Sequence, residues 1–388
     1  MNIWEKWLTP RNTFYLLIIV TLLISLQQYL LPETLFWDKL RPQYNNYLIF
    51  KYSFLHLLDG QDLYRLYPEQ HGDYFKYSPT FALVMALFYY LPDWLGLTLW
   101  NLLNALALFA GITLLPSIND KKKSLLILFV LLELIGNLQN EQSNALVAGL
   151  ILLSFGFLER KKIGLAALFI AFGFYLKIFG VLSILLVFFY PGKWKGLLIF
   201  SLWMLLLGMA PLLVISPGQL IEQYNGWYDI LLVDHGTRYG FSVMGIIHKW
   251  IGADPSKSWV LAMGFLILIS GMLKFSYYPN VTYRLLFLSS LLMWMILFNH
   301  TAESSGYILA MTGAGIWYFS RKPSVTRNVL MIAAFVIVSL FSTDIMPANI
   351  RNQYIYPLYI RTLPVLIIWV IAMFDLLRFN QPAEGAGG

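Results

Sequence analysis

The chain has 388 residues, of which 59% are hydrophobic and 12% are charged, and its net charge is +7. Soluble domains carry about 25% charged residues, so this composition excludes an ordinary soluble enzyme and predicts an all-α polytopic membrane protein. The sequence has no cysteine, which excludes disulfides, thiol nucleophiles and thiolate metal sites. The basic residues are scattered between apolar runs, so they indicate membrane topology and not nucleic-acid binding.

Long apolar runs recur from Thr13 to Leu377, each near the length that crosses a hydrocarbon core about 30 Å thick. The first run follows Lys6 and Arg11 and shows no small-residue cleavage site, so we interpret it as a retained span. The positive-inside rule then predicts about twelve spans with both termini in the cytoplasm. The predicted spans are 13–31, 95–117, 124–137, 143–158, 163–177, 179–191, 196–215, 258–274, 284–298, 305–319, 327–343 and 360–377.

These spans form a single predicted membrane domain over residues 1–380. Three long segments, 32–94, 216–257 and 343–361, are expected on the outer side, whereas the inner connections are short. The small, polar tail 381–388 is expected to be disordered. A protein with large outer segments and short inner connections is expected to function at its outer face.

The apolar stretch Phe75–Leu91 decides this topology. If it crossed the membrane, every later loop would change sides and Lys121–Lys123 would lie outside, against the charge bias. We therefore interpret it as a helix in the outer interface that the chain enters through Tyr77-Ser78-Pro79, with Pro near its start. Asn46–Leu58 has the apolar spacing of a second interfacial helix, with Asp59-Gly60 as its stop signal.

Several short segments, taken together and in order, resemble a known family. They are Tyr47…Asp59-Gly60-Gln61-Asp62-Leu63-Tyr64, Tyr77-Ser78-Pro79-Thr80, Trp100…Asn104, Gln142-Ser143-Asn144, Lys177 and Phe298-Asn299-His300. They are similar to segments of the GT-C glycosyltransferases, above all glycosyltransferase family 87, the polyprenyl-phosphate-mannose-dependent mannosyltransferases. The resemblance implies a GT-C fold, a sugar donor linked to polyprenyl phosphate, an active site at the outer membrane–water boundary and a bacterial inner membrane.

The sequence departs from the family pattern at two positions. In its first outer segment the family has an Asp, and counting back from Gly60 places Asn46 at that position in this chain. An amide cannot serve as a carboxylate base. The family often has Gly before Gln142, where this chain has Glu141. Three explanations remain open for Asn46: the base comes from elsewhere, the motif is offset, or the chain is not catalytically active.

Glu141, His300 and Glu303 are the other catalytic candidates. Glu141 lies in a short polar loop between two apolar runs, as either a general base with a raised pKa or a solvated loop carboxylate. A spacing of three predicts that His300 and Glu303 share one helix face. His300 would shuttle a proton or bond the donor phosphate, and Glu303 would orient His300 or be the base. The alternative is a polar pair that caps a helix.

Lys177 is a cation at an outer turn, against the charge bias, so a lipid phosphate is a suitable partner. Snorkelling to the headgroups is the alternative interpretation. The further donor-binding candidates are Arg238, Arg351, Arg361, Gln142, Asn144 and Tyr77. Tyr224 and Trp227, in the second outer segment, suit either carbohydrate stacking or a lid packed by aromatic side chains. Glu133 is an acid within an apolar run, which indicates function unless it reaches the membrane boundary.

The resemblance and the topology together favour an inverting hexosyltransferase. Its expected partners are a polyprenyl-phosphate-linked sugar donor, an unknown acceptor (a lipid, glycan or protein) and the bilayer. The resemblance implies that the sugar is mannose. No cofactor is expected, and no residues show metal-ligand spacing. Two alternatives remain: a catalytically inactive relative that binds lipid-linked sugar, and a lipid or sugar transporter or flippase. A transporter would show internal repeats and midplane polar residues, and neither is clear here.

Overall fold

The computed structural model describes residues 7–36, 38–235, 239–300 and 302–380 of the chain. The predicted tail 381–388 and the candidate Arg238 lie outside the described residues. The α-helices of the described residues are α1 Pro10–Leu30, α2 Asn45–Leu58, α3 Pro79–Val84, α4 Ala86–Tyr89, α5 Asp93–Thr113, α6 Asp120–Phe129, α7 Leu131–Gln139, α8 Asn144–Glu159, α9 Ile163–Leu176, α10 Lys193–Met209, α11 Pro217–His235, α12 Val243–Ile246, α13 Lys257–Ser270, α14 Val281–Leu297, α15 Tyr307–Phe319, α16 Val325–Ala334, α17 Ala348–Ile350 and α18 Thr362–Leu377.

The remaining regular segments are tighter or wider helical turns and one small hairpin. The 3₁₀- and π-helical segments are Ile178–Phe189, Ala210–Leu213, Ile247–Ile251, Phe275–Tyr277, Ser304–Gly306, Phe335–Ser339, Leu340–Ser342 and Arg351–Ile355. In the hairpin, β1 (Thr34–Phe36) pairs antiparallel with β2 (Lys39–Arg41). The predicted all-α class is thus confirmed in its main feature.

Four helices of the described chain are long and apolar enough to cross a membrane. They are Pro10–Leu30, Asp93–Thr113, Lys193–Leu213 and Val325–Ser342. Shorter apolar helices accompany them: Pro79–Tyr89, Asn144–Glu159, Ile163–Leu176, Ile178–Phe189, Lys257–Ser270, Val281–Leu297 and Thr362–Leu377. The chain is therefore an integral membrane protein built from helices of unequal length.

The structure corrects the predicted span 124–137, which is two helices and not one. The first, α6, begins before the apolar run because the Asn119 side chain accepts a hydrogen bond from the backbone N of Lys122 (2.9 Å), which caps the helix. The backbone then leaves helical geometry at Val130, with φ −92° and ψ 1°, and α7 follows. Glu133 lies in the first turn of α7, and this places its side chain within the protein interior.

The stretch Phe75–Leu91 forms α3 and α4, which together run from Pro79 to Tyr89. At 1.5 Å per residue such a segment is about 16 Å long, too short to cross the hydrocarbon core. Ser78 caps α3 by accepting a hydrogen bond from the backbone N of Phe81 (3.1 Å). The predicted helix at Asn46–Leu58 is present as α2.

Helix α8 is the centre of the packing, because it contacts α5, α9 and α15. A Cβ at Gly149 of α8 would lie 2.4 Å from the backbone carbon of Ala107, so the backbones of α5 and α8 touch there. Small residues permit this close approach between helices in a membrane. Helix α15 also packs on α14, which contacts α18. The start of α8, the end of α9, the turn before α15 and the start of α18 therefore meet at one end of the bundle.

Candidate active site

The loop between α7 and α8, residues 140–143, is held in place by amide side chains. Asn137 Nδ2 donates to the carbonyl oxygen of Gln142 (2.8 Å), and Asn137 Oδ1 accepts from the backbone N of Ala145 (3.3 Å). From α2, Asn46 Nδ2 donates to the carbonyl oxygen of Asn140 (3.0 Å). The structure thus brings Asn46 to the loop of Glu141, where it acts as a hydrogen-bond donor to the backbone.

Glu141 is fully buried, with 0% of its surface exposed. Neither carboxylate oxygen has a hydrogen-bond partner among the described residues. Burial raises the pKa of the Glu141 carboxyl well above its usual range, because the charged form loses its hydration. Its backbone has φ +48°, a left-handed conformation that favours glycine, and its carbonyl oxygen accepts a hydrogen bond from Trp100 Nε1 (2.7 Å). An orphaned acid on a strained backbone is a feature of functional sites.

Lys177 joins the loops at the end of the bundle. It lies between α9 and the 3₁₀ segment Ile178–Phe189, and its Nζ donates to Asn144 Oδ1 (2.8 Å) at the start of α8. The same Nζ lies 5.9 Å from the centre of the Tyr77 ring. Asn144 Nδ2 in turn donates to Ser305 Oγ (3.2 Å), in the turn before α15. Lys177, Asn144 and Tyr77, three of the predicted donor-binding residues, therefore form one cluster.

Gln142 joins this cluster through Tyr77. The Tyr77 hydroxyl donates to Gln142 Oε1 (3.4 Å) and accepts from Ser143 Oγ (3.3 Å). Tyr77 is placed there by its neighbour Ser78, whose hydroxyl donates to the carbonyl oxygen of Tyr175 (2.6 Å) near the end of α9. The Tyr-Ser-Pro segment thus ties the start of α3 to the turn that carries Lys177.

The electrostatics of Lys177 connect it to two further charged residues. Lys177 interacts electrostatically with the nearby carboxylate of Glu303 and with the nearby ammonium of Lys76. Glu303 also interacts electrostatically with Tyr77. Unlike Glu141, Glu303 is exposed. Lys76 is exposed as well and was not among the residues predicted from sequence, although its position next to Tyr77 was a signal that could have identified it.

The predicted shared helix face of His300 and Glu303 is wrong. Helix α14 ends before both residues, at Leu297, and the chain turns through a hydrogen bond from the backbone N of Ala302 to the carbonyl oxygen of Asn299 (3.1 Å). Glu303 has an extended backbone, with φ −98° and ψ 165°, so helical spacing does not apply. Both residues nevertheless lie in the one loop between α14 and α15.

Gly240 holds that loop from the side of the second predicted outer segment. A Cβ at Gly240 (φ +56°) would lie 2.6 Å from the backbone N of Ala302 and 3.0 Å from the carbonyl oxygen of His300. The backbone N of Phe241 donates to the carbonyl oxygen of Ala302 (2.8 Å). His300 itself is half-buried. Only glycine fits at position 240, because any side chain would collide with the backbone of the loop. The backbone of His300 is therefore fixed by close packing against residues 240 and 241.

Two of the predicted phosphate-binding arginines have other partners. Arg361 is buried and its Nη2 bonds both carboxylate oxygens of Glu133, at 3.1 and 3.2 Å. This contact also accounts for the acid within the apolar run, since Glu133 pairs with Arg361 inside the protein. Arg351 pairs with Asp344 (3.1 Å), seven residues earlier in the same segment, and none of its contacts with described residues joins it to the Lys177 cluster.

The aromatic residues of α11 pack against the first predicted outer segment. Trp227 is buried, and its Nε1 donates to the carbonyl oxygen of Lys76 (3.3 Å). The Tyr224 hydroxyl donates to the carbonyl oxygen of Gly208 (2.9 Å). These contacts favour the packing interpretation of both side chains over carbohydrate stacking. Within the described residues, no group of three His, Asp or Glu side chains is arranged to hold a metal ion.

Comparisons with known proteins connect this geometry to a family. The family model described as glycosyltransferase family 87 matches residues 75–347, more than half of the chain. The matched range contains Tyr77, Glu141, Lys177 and Glu303 and begins after Asn46. A search of curated proteins gave no match. Among solved structures, the chain is similar to ArnT from Cupriavidus metallidurans bound to undecaprenyl phosphate, with 12% identity and a TM-score of 0.49, over 94% of this chain and 77% of that one.

Proposed function

Because the chain belongs to glycosyltransferase family 87, as its sequence motifs indicated, we propose that it transfers a sugar from a polyprenyl phosphate to an acceptor hydroxyl. The observation that carries the proposal is Lys177, whose Nζ bonds the neutral amide of Asn144 (2.8 Å) and not a carboxylate. A half-buried cation held by a neutral group keeps its charge available for an anionic ligand. The family resemblance supports mannose as the sugar.

The donor phosphate is proposed to lie between Lys177 and Lys76, beside the Tyr77 ring. Two lysines near each other repel, and the phosphate of a lipid donor relieves that repulsion. Asn144 orients the Lys177 ammonium, and Gln142 orients the Tyr77 hydroxyl. Arg351 is left out of this site because it pairs with Asp344.

Glu303 is the proposed general base, because it is exposed and lies near Lys177. The acceptor oxygen attacks the anomeric carbon, Glu303 takes the hydroxyl proton, and the bond from the anomeric carbon to the phosphate oxygen breaks. The electron pair leaves with the polyprenyl phosphate, whose charge Lys177 stabilises. Attack opposite the leaving group inverts the anomeric centre. Glu141 is the second candidate base, although its full burial requires a movement of its loop before an acceptor reaches it.

The membrane setting is part of the same proposal. The spacing of basic residues supports about twelve spans with both termini in the cytoplasm. The cluster of Lys177, Glu303 and Tyr77 would then face the outer side of a bacterial inner membrane. His300, in the same loop as Glu303, would flank the acceptor.

The test is transfer of labelled mannose from polyprenyl-phosphate-mannose by the purified protein, with an extract of host-membrane acceptors. We expect Glu303→Gln to lower turnover by about 10²- to 10⁴-fold while donor binding is kept, since a general base contributes about that factor. Glu222→Gln, at an exposed acid on α11, is the matched control and should leave turnover unchanged.

Each other result has a distinct meaning. Full turnover in Glu303→Gln and a loss in Glu141→Gln would transfer the role of base to Glu141, and full turnover in both would refute a carboxylate base at either position. Donor binding without transfer by the wild type would identify an inactive relative, consistent with Asn46. A wild-type protein that neither binds the donor nor transfers the sugar would contradict the proposed function.

A further inference from the structure

Glu133 and Arg361 form an ion pair in the protein interior, 228 positions apart in the chain. The side chains are 6% and 1% exposed, and Arg361 Nη2 lies 3.1 and 3.2 Å from the two carboxylate oxygens. Burying two charges costs desolvation energy that their attraction scarcely recovers, so such a pair contributes little net stability. What the pair does fix is the relative position of the two segments that carry it.

Arg361 connects the pair to the loop that carries Glu303. Its Nη1 donates to the hydroxyl of Ser304, the residue after Glu303. The guanidinium also lies 4.8 Å from the centre of the Tyr307 ring, at the start of α15. The Tyr307 hydroxyl contacts Thr362 Oγ1 (2.7 Å), beside Arg361. Both ends of the Ser304–Gly306 turn are thereby fixed to the start of α18.

Glu133 connects the pair to the opposite wall of the candidate site. It lies on α7, one helical turn before Asn137, whose side chain holds the carbonyl oxygen of Gln142 (2.8 Å). The two walls also meet directly, since Asn144 donates to Ser305 Oγ (3.2 Å). The ion pair thus sets the separation between the loop of Gln142 and the loop of Glu303.

We propose that Glu133 and Arg361 are positioning residues of the transferase site: their ion pair holds Glu303 at a fixed distance from Lys177 and the loop 140–143. The inference rests on the proposed function. Neither residue contacts the donor, because the pair is buried and the guanidinium is shared between Glu133, Ser304 and the Tyr307 ring. A small misplacement of a catalytic group costs about 10²-fold in rate, so loss of the pair lowers turnover more than donor affinity.

The first experiment replaces both charges together, as Glu133→Met with Arg361→Met, so that no unpaired charge remains in the interior. We expect kcat for sugar transfer to fall by about 10- to 100-fold, while the KM for polyprenyl-phosphate-mannose changes by less than about threefold. Arg361→Lys, which keeps the charge and loses the fork of donors, should give an intermediate kcat.

The matched control is a second ion pair of low exposure, between Glu159 and Arg284, whose side chains are each 11% exposed, at the far end of α8. Glu159→Met with Arg284→Met removes a pair of the same chemistry and should leave kcat unchanged. If kcat were unchanged in the Glu133 and Arg361 double variant, or if both double variants lost turnover equally, the positioning role would be refuted.

A second measurement separates this inference from the proposed function. Because the sequence has no cysteine, Asn140→Cys and Glu303→Cys can carry two nitroxide labels in an otherwise unlabelled chain. Dipolar electron paramagnetic resonance then reports the distance between the two loops. We expect the distance distribution to broaden in the Glu133 and Arg361 double variant and to stay narrow in the control. An unchanged distribution would overturn the positioning role, whereas absence of transfer by the wild type would count against the proposed function alone.

Discussion

The two ends of α8, about 24 Å apart at 1.5 Å per residue, treat buried charges in opposite ways. At its last residue, Glu159 accepts hydrogen bonds from Arg284 Nε (2.6 Å), Arg284 Nη2 (2.8 Å) and the Tyr190 hydroxyl (2.5 Å). At the opposite end, Lys177 has an amide as its partner, and neither oxygen of Glu141 has one among the described residues.

This difference distinguishes a structural end of α8, at Glu159, from a candidate functional end, at Glu141 and Lys177. Buried polar groups in proteins are nearly always hydrogen-bonded, so the Glu159 end fits a purely structural role. A charge that the fold leaves incompletely neutralised calls for a functional explanation. A bound ligand that supplies the missing partner is one such explanation. The end with Glu141 and Lys177 also carries the exposed side chains of Lys76 and Glu303, so a substrate can reach it. The contrast can be tested by removing charges from each end in turn.

The largest expected effect is on stability, at the Glu159 end. Arg284→Met leaves the largely buried Glu159 carboxylate, 11% exposed, without its ion-pair partner, which costs up to about 3–5 kcal/mol. The melting temperature of the purified protein should fall clearly, whereas the affinity for a polyprenyl phosphate should not change. Arg284→Lys, which keeps the charge, should lose less. A parallel fall in lipid affinity would show that the two ends are not separable.

The next largest effect concerns lipid binding, at the opposite end. Lys177→Met removes one charge-assisted hydrogen bond to the proposed phosphate, worth about 1.5–3 kcal/mol, so the Kd for a polyprenyl phosphate should rise roughly 10- to 150-fold. The melting temperature should fall less than in Arg284→Met, because Lys177 leaves behind a neutral acceptor, the amide oxygen of Asn144, and not a charge. Lys177→Arg is the control that retains the charge. Unchanged affinity in Lys177→Met would remove this residue from the phosphate site.

Glu141 gives a pH-dependent prediction. Its folded-state pKa is raised by burial, so stability is greatest below the unfolded pKa and is lost as pH rises toward the folded pKa, by about 1.4 kcal/mol for each unit of difference. Glu141→Gln is neutral throughout and should lack this loss. Melting temperatures from pH 4 to pH 9 should therefore show the variant gaining on the wild type as pH rises. Parallel curves would mean that the folded carboxyl titrates normally.

The smallest effect is expected at Asn46. Asn46→Asp replaces a donor to the Asn140 carbonyl oxygen with a carboxylate, which should cost about 1 kcal/mol of stability without increasing transfer. Asn46→Ala separates loss of the hydrogen bond from the added charge. If Asn46→Asp instead transferred more sugar than the wild type and Asn46→Ala, the base would lie at position 46. The substitution would then have restored an inactive site.

The site could be predicted from the sequence only in part. Lys177, Asn144, Gln142 and Tyr77 were found because they occur in short motifs, and the structure places them together. The shared face of His300 and Glu303 was wrong because helical spacing has no meaning once the chain leaves the helix at Leu297. Neither Arg238, which lies outside the described residues, nor Arg351 gains support as a phosphate ligand.

Lys76 and Asn137 illustrate what pattern reasoning overlooked. Lys76 has no motif of its own, and its relevance depends on the nearness of Lys177 in space. Asn137 stands in an apolar helix, which was a signal of a buried hydrogen-bonding role, but its partners on the following loop become evident only when α7 and α8 are folded together.

The sequence by itself determined that this chain is a helical membrane protein of family 87, because apolar length, charge distribution and short motifs are local properties. Tertiary structure alone decided which charges are neutralised within the protein. Arg361 pairs with Glu133 across 228 positions, whereas Lys177 finds an amide and Glu141 finds nothing among the described residues. The physical reason is that neutralisation depends on distance in space and on burial, and neither is set by spacing along the chain.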